Sequence, residues 1–251
     1  MPGIVNRMGY MGARTSRSRT LRAHRRSSEG AGVVRVIGCE LVMRTAWLAL
    51  AGGIALAGCG SSSAGETIRA PFTDHFGRER LGPDWRATDP EAYSIVRGQL
   101  RAQGARNHPL WLRKRLPRNV RVEFTVRSES AAGDIKVEIF GDGRSYATED
   151  SYTATSYVVI FGGWHNSLSA IARMNEHGDD RETRASPRVV PGRTYAFRIE
   201  RRGKTLTWWV DGERMLAMED AEPLEGSGHD AFAFNNWESE VFFDDLVVTP
   251  L

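Results

Sequence analysis

Residues 70–251 are predicted to form an all-β fold, an antiparallel β-sandwich of two sheets with about twelve strands. Three observations carry the prediction. Apolar residues recur with period two rather than 3.6, the spacing of half-buried strands. Turns bearing Gly, Asn or Asp cut the apolar runs at intervals of about 8–12 residues, as in sandwiches and barrels. No segment sustains the apolar stripe of an amphipathic helix.

Val120, Val122, Phe124 and Val126 alternate with Arg121, Glu123, Thr125 and Arg127, so one face of this strand enters the core and the other meets water. Ile135, Val137 and Ile139 alternate in the same way with Asp134, Lys136 and Glu138. Tyr152 to Phe161 is a longer strand with aromatic and β-branched residues on both faces, followed by Leu168 to Met174. From Asn175 to Pro187 the polar composition predicts one long loop. Tyr195, Phe197 and Ile199 define the next strand, turned at Arg202-Gly203, and Leu206, Trp208 and Val210 the one after it. Asp211-Gly212 is a two-residue hairpin signal, because both central positions of a type I′ turn need positive φ. Trp208 and Trp209 are consecutive, so one indole enters the core and the other lies on a sheet surface. Strands at His229 to Phe234 and Val241 to Val248 close the chain.

The 251-residue chain is 41% hydrophobic and 26% charged, which excludes a collagen, a coiled coil, a multi-span membrane protein and a disordered tail. Its net charge of +3 is unevenly placed. Residues 1–58 hold nine Arg and two Glu, a net +7, whereas residues 59–251 hold 25 basic and 29 acidic groups, a net −4. The folding part is therefore acidic, and nucleic acid is not an expected partner. Residues 1–42, basic and nearly free of aromatics, read as a disordered extension upstream of the true start at Met43. Met43-Arg44-Thr45, the twelve apolar residues Ala46 to Ala57 and the small-residue exit at Gly58 read as a secretory signal over 43–58, too short to span a bilayer. Cys59 follows at once, and residues 59–69 form a Gly/Ser-rich flexible tether. Cys39 leaves with the leader, so the mature domain carries no thiol for catalysis, a disulfide or a cysteine metal site.

Leu56-Ala57-Gly58-Cys59 resembles the lipobox of bacterial lipoproteins. The resemblance implies cleavage before Cys59, a diacylglyceryl group on its sulfur, and a membrane partner through that lipid anchor. A secreted protein whose signal ends in Cys is the alternative. Gly60, rather than Asp, after the cysteine implies the outer membrane of the cell envelope by the same resemblance. Phe72-Thr73-Asp74-His75-Phe76 with Trp85, Tyr93 to Leu100, Gly162-Gly163-Trp164-His165-Asn166, and Phe243-Asp244-Asp245-Leu246-Val247-Val248 resemble the concanavalin A-like lectin/glucanase jelly roll. Within that fold they are most similar to the secreted bacterial branch related to laminin-G-like and keto-disaccharide-hydrolase-like domains. The resemblance covers residues 70–251 and implies a jelly roll with carbohydrate lying across one sheet face. It leaves lectin, hydrolase, lyase and scaffold open, since the superfold hosts all of them.

The first candidate site is Asp134, Lys136 and Glu138 on one strand face. Strand rise sets Asp134 and Glu138 about 13 Å apart, beyond the roughly 5–9.5 Å of a glycosidase carboxylate pair. The Glu-x-Asp-x-x-Glu pattern of the fold's glucanases is absent. The row is either ligand-facing or a salt-bridged face in which Lys136 neutralises its neighbours. The second candidate is the Gly-Gly turn that presents Trp164 and His165 at a sheet edge, with Asn166 and Arg173 nearby. An indole plate beside amide and guanidinium donors suits a pyranose face and its hydroxyls; Trp164 capping the core is the alternative. Arg173 shares a strand face with Ser167, Ser169 and Ile171 and is expected to meet Glu138 or Asp134 across the sheet. Glu176 and His177 open the following loop, where an acid or base is placed to act beside Glu138.

Asn235-Asn236-Trp237-Glu238 is the third candidate, a turn whose amides either satisfy local backbone groups or rim a sugar site. Asp74, Asp244 and Asp245 lie in the first and last strands, where the resemblance implies a structural Ca²⁺; solvent-exposed edge acids are the other reading. The leading expectation is a lipid-anchored surface protein that binds carbohydrate non-covalently through Trp164, Asn166, Arg173 and the Asp134/Lys136/Glu138 row, with Trp237 at the rim. The alternative is a glycan-cleaving enzyme, a glycoside hydrolase or polysaccharide lyase, with Glu138 and Glu176 or His177 as acid and base. A structural or protein-docking lipoprotein is the third class.

Overall fold

The structure, a computed structural model, describes residues 65–149 and 152–251. The basic extension, the signal segment and Cys59 lie outside the described residues. The described residues form fifteen strands: β1 (Phe72–Asp74), β2 (Trp85–Ala87), β3 (Tyr93–Val96), β4 (Gln99–Gln103), β5 (Leu110–Leu112), β6 (Val120–Ser128), β7 (Ile135–Gly141), β8 (Thr153–Gly162), β9 (Leu168–Asn175), β10 (Glu182–Arg184), β11 (Thr194–Arg202), β12 (Thr205–Val210), β13 (Glu213–Glu219), β14 (Ala231–Asn235) and β15 (Glu240–Pro250). An eight-stranded antiparallel sheet runs β13-β12-β11-β6-β15-β4-β3 with β1 added on β15, and a seven-stranded one runs β10-β9-β8-β7-β14-β5-β2.

The inward faces of the two sheets make one core. Ile135, Val137 and Ile139 of β7, Tyr157, Val159 and Phe161 of β8, and Phe232 and Phe234 of β14 meet Val122, Phe124, Phe197, Trp208 and Phe243 of the other sheet. Phe124 sits at the centre, 5.1 Å from Phe197 and 5.4 Å edge-on to Phe234 between ring centroids. Burying each such ring contributes about 1.5–3 kcal/mol. The predicted alternation of β6 holds over all nine residues, which are buried at every second position. Trp208 is in the core, while Trp209 lies on the outer face under the Arg198 guanidinium at 4.3 Å. Asp211 and Gly212 turn β12 into β13 with φ of 52° and 82°, as a type I′ turn requires.

Four of the fifteen strands, β1, β2, β5 and β10, are three-residue segments, too short for an alternation to show. One of them corrects the predicted long loop. Within Asn175–Pro187, β10 returns along β9 with Thr183 opposite Ala170, and all three of its residues are exposed, so no apolar signal marks it. The chain also docks on the sandwich earlier than residue 70. Thr67 bridges Arg115, and Ile68 is buried.

Candidate functional site

The outer face of the seven-stranded sheet, away from the core, carries two rows of side chains set by strand register. One row runs Thr183, Ala170, Ile160, Lys136, Asn235; the next runs Ala172, Val158, Glu138, Ala233, Trp111. The polar side chains of β7 thus share the face opposite Ile135, Val137 and Ile139, as alternation dictates. The face is covered by the chain itself. Trp111 is fully buried and its Nε1 donates to the Ser145 carbonyl at 3.0 Å. Ala147 and Tyr152 pack on Val158 and Ile160, and the Ala147 N–H donates to the Asn107 carbonyl. After β9 the chain folds back, bringing Glu176 onto Lys136 and Arg181 over the Trp164 ring at 5.0 Å.

A cavity of about 290 Å³ remains over the Lys136–Ile160 end of the first row. Its floor is Lys136, whose Nζ donates to Asn107 Oδ1 at 2.8 Å and to Glu176 Oε2 at 2.7 Å. Its walls are the Gly163–His165 turn, the Glu176-His177 turn, and Trp237 with Glu238 and Ser239. The first wall is built from left-handed backbone: Gly162, Trp164, His165 and Asn166 all have φ between 50° and 68°. Such runs are costly for residues with a Cβ, and Asn166 holds this one in place. Its Oδ1 accepts the Val189 N–H, and its Nδ2 donates to the Val189 and Ala131 carbonyls. Gly162 is required here, because a Cβ would lie 2.5 Å from Asn166 Oδ1. Trp164 and His177 meet edge-on at 5.7 Å. Asp134, itself left-handed at φ 57°, donates its N–H to the Gly162 carbonyl at 2.8 Å and accepts the Trp237 N–H, and so ties the base of the first wall of the cavity to the last.

The carboxylates differ in setting. Burial pushes Asp134 above its ordinary value, against the pull of Lys136 and the Trp237 N–H. Burial acts on Glu176 too, but the Lys136 ammonium outweighs it and holds the carboxyl below the usual range. Lys136 is desolvated, yet Asp134 and Glu176 together keep it above an ordinary lysine. Glu138 sits one row further in, fully buried, accepting from Ser156 Oγ at 2.6 Å and Asn235 Nδ2 at 2.9 Å. Burial raises its carboxyl to about 7, offset in part by those two donors.

The structure brings Asp134, Lys136, Trp164, His165, Glu176, His177 and Trp237 to one cavity. It does not bring Arg173 there. Ile171, on the same face of β9, enters the core, so Arg173 points to the inner side of the sheet and pairs with Asp220 at 2.9 Å rather than with Glu138 or Asp134. Glu138 does not line the cavity, whereas Glu176 and His177 do. Asn235 and Asn236 are fully buried. Asn235 serves Glu138, and Asn236 accepts the Ala105 N–H and donates to the Ser239 carbonyl, which is the backbone role. The expected pairing of first and last strands is present, with Asp74 opposite Leu246. The three edge acids are engaged apart: Asp74 with Arg78 and Trp85, Asp244 with Gln99, Asp245 with His75. Among the described residues no group of three or more His, Cys, Asp or Glu is arranged to hold a metal ion. Asn107 and Ser239 are polar lining residues that sequence reasoning missed, along with the small and apolar Ala132 and Ile160. The only signal for Asn107 is its place in the polar Gly104–Pro109 turn, where its φ of 62° suits an Asn.

No family model and no curated protein matches the chain. Solved structures match its fold. A Bacillus licheniformis β-glucanase aligns at a TM-score of 0.51 and 11% identity, over 72% of this chain and 99% of that one. The carbohydrate-binding module CBM66 of Bacillus subtilis aligns at 0.51 and 11%, over 66% and 96%. An endo-acting O-glycanase of human gut microbiota aligns at 0.53 and 14%, over 72% and 98%. The fold is therefore the jelly-roll β-sandwich that these three structures share.

Proposed function

We propose that this chain binds carbohydrate non-covalently in the cavity on the outer face of the seven-stranded sheet. Trp164 and Trp237 offer apolar plates for sugar faces, and Asp134, Lys136 and Glu176 offer hydroxyl partners. One observation carries the reading. The Asp134/Lys136 row, the Trp164-His165 turn, the Glu176-His177 turn and Trp237 come from four separate stretches of sequence, each with sugar-binding chemistry, and they line a single cavity. The glucanase, O-glycanase and binding-module neighbours support a carbohydrate ligand for this fold.

Glycan cleavage is the second reading, favoured by one feature. Two carboxylates facing the same cavity are driven apart, Asp134 upward and Glu176 downward, which is the polarity of an acid and its conjugate partner. A glycan array with the whole protein, followed by a reducing-end release assay on every oligosaccharide bound, separates the two. Binding without release is the expected result; release above the protein-free rate moves the assignment to the enzyme, and an empty array removes both. Anchoring through a lipid on Cys59 belongs to the same proposal and rests on the Leu56-Ala57-Gly58-Cys59 motif. Cys59→Ser is expected to move the protein from the membrane fraction to the soluble one, and unchanged fractionation overturns the anchor.

A further inference from the structure

We infer, resting on the carbohydrate-binding reading, that the cavity takes the end of a glycan chain and excludes its interior. A polymer lying across a sheet needs open positions over several neighbouring strands. Here the outward positions are closed. From Ala172 through Val158, Glu138 and Ala233 to Trp111, exposure is at most 2%, and from Ala170 through Ile160 and Lys136 to Asn235 it is at most 3%. Segments of the same chain occupy the path: Ser145 over Trp111, Ala147 and Tyr152 over Val158, and Glu176 folded back on Lys136. The cavity stops against this cover. At about 290 Å³ it lies at the low end of small-molecule sites, which run from about 300 to 1,000 Å³. That is room for a terminal unit, with the rest of the chain leading away past Trp164 and Trp237.

The lining also specifies the kind of end. Lys136 has three N–H donors and uses two on Asn107 and Glu176. Asp134 accepts the Trp237 N–H through Oδ2, and among the described residues no donor engages its Oδ1. Donors and acceptors are thus both on offer, as the hydroxyls of a sugar demand. Asp134 and Glu176 face the ammonium of Lys136, Glu238 is paired with Arg106, and Arg181 lies over Trp164, so the charges around the cavity balance and leave no excess cation to draw a uronate or sulfated end, which favours a neutral one.

The probes are neutral oligosaccharides, immobilised through the reducing end on one array and through the non-reducing end on another. Each one bound is then competed with its free terminal monosaccharide or disaccharide, its longer linear oligomers, and a macrocyclic form that has no end. The shortest free sugar is expected to inhibit within about threefold of the longest oligomer, and the macrocycle not at all. Inhibition that strengthens about tenfold or more with length, or a macrocycle as good as the linear form, overturns end recognition while leaving the binding reading standing. Two arrays without binding overturn both.

Discussion

Lys136→Met is expected to lower the free energy of unfolding by about 3–5 kcal/mol, the range for breaking a buried pair by removing one partner. The side chain is 3% exposed and holds Glu176 and Asn107 directly. Met keeps the length and the methylene packing but supplies no donor. Glu176, Asn107 Oδ1 and the neighbouring Asp134 then face the cavity floor without a counter-charge. Burial already pushes Asp134 upward while Lys136 is present, and Glu176 is held low chiefly by Lys136. Both carboxyls therefore rise in the variant, and its deficit shrinks as the pH falls and they take up protons. Adding Glu176→Gln to Lys136→Met removes the larger orphaned charge and is expected to recover part of the loss. Urea unfolding of the wild type, the two single variants and the double variant completes the cycle. A cost under about 1 kcal/mol, the scale of an exposed ion pair, contradicts the buried floor described above.

The second large effect is a dependence on pH that Glu138 introduces. Its carboxyl lies at about 7 in the folded protein, against an ordinary value of 4.5, because burial disfavours the charge more than Ser156 and Asn235 favour it. The folded state therefore holds the proton more tightly than the unfolded chain. The stability this contributes is complete below 4.5 and is lost as the pH rises through about 7. A shift from 4.5 to about 7 corresponds to about 3 kcal/mol across that window. Glu138→Gln keeps the shape and the partners without titrating. Subtracting the variant's stability curve from that of the wild type cancels every other ionisable group. The difference is expected to fall by about 3 kcal/mol between 4.5 and 7, and parallel curves contradict a buried, proton-holding Glu138.

These two residues also show what the sequence could and could not disclose. The alternation at Asp134 to Ile139 correctly separates inward Ile135, Val137 and Ile139 from outward Lys136 and Glu138. It says nothing of what lies on the outward face, because the covering pieces come from Asn107, Ala147, Tyr152 and Glu176, distant in the chain. A row that reads as open or salt-bridged is a sealed network for Glu138 and a cavity floor for Lys136. Arg173 went wrong for a related reason. With Ala170 and Ala172 outward and Ser169, Ile171 and Arg173 inward, β9 carries no contrast strong enough to tell its sides apart. Where the contrast is strong the reading holds, as in β6, at the Asp211-Gly212 turn and in the split of Trp208 from Trp209. Trp164, His165, Glu176 and Trp237 were legible as candidates because indoles and ionisable groups in polar turns have few structural duties to explain them. Their convergence on one cavity was not legible, since it depends on β8, β9 and β14 being neighbours of β7 or of one another.

The central claim, sugar held between the two indoles of the cavity, is tested most directly by following the indole N–H signals of isotope-labelled protein by NMR during titration with an array-positive oligosaccharide. The signals of Trp164 and Trp237 are expected to shift together and saturate. Those of Trp111 and Trp208, buried under the chain and in the core, and of Trp209 on the opposite sheet, are expected to stay in place. A saturating shift at Trp209, with Trp164 and Trp237 unmoved, contradicts the account.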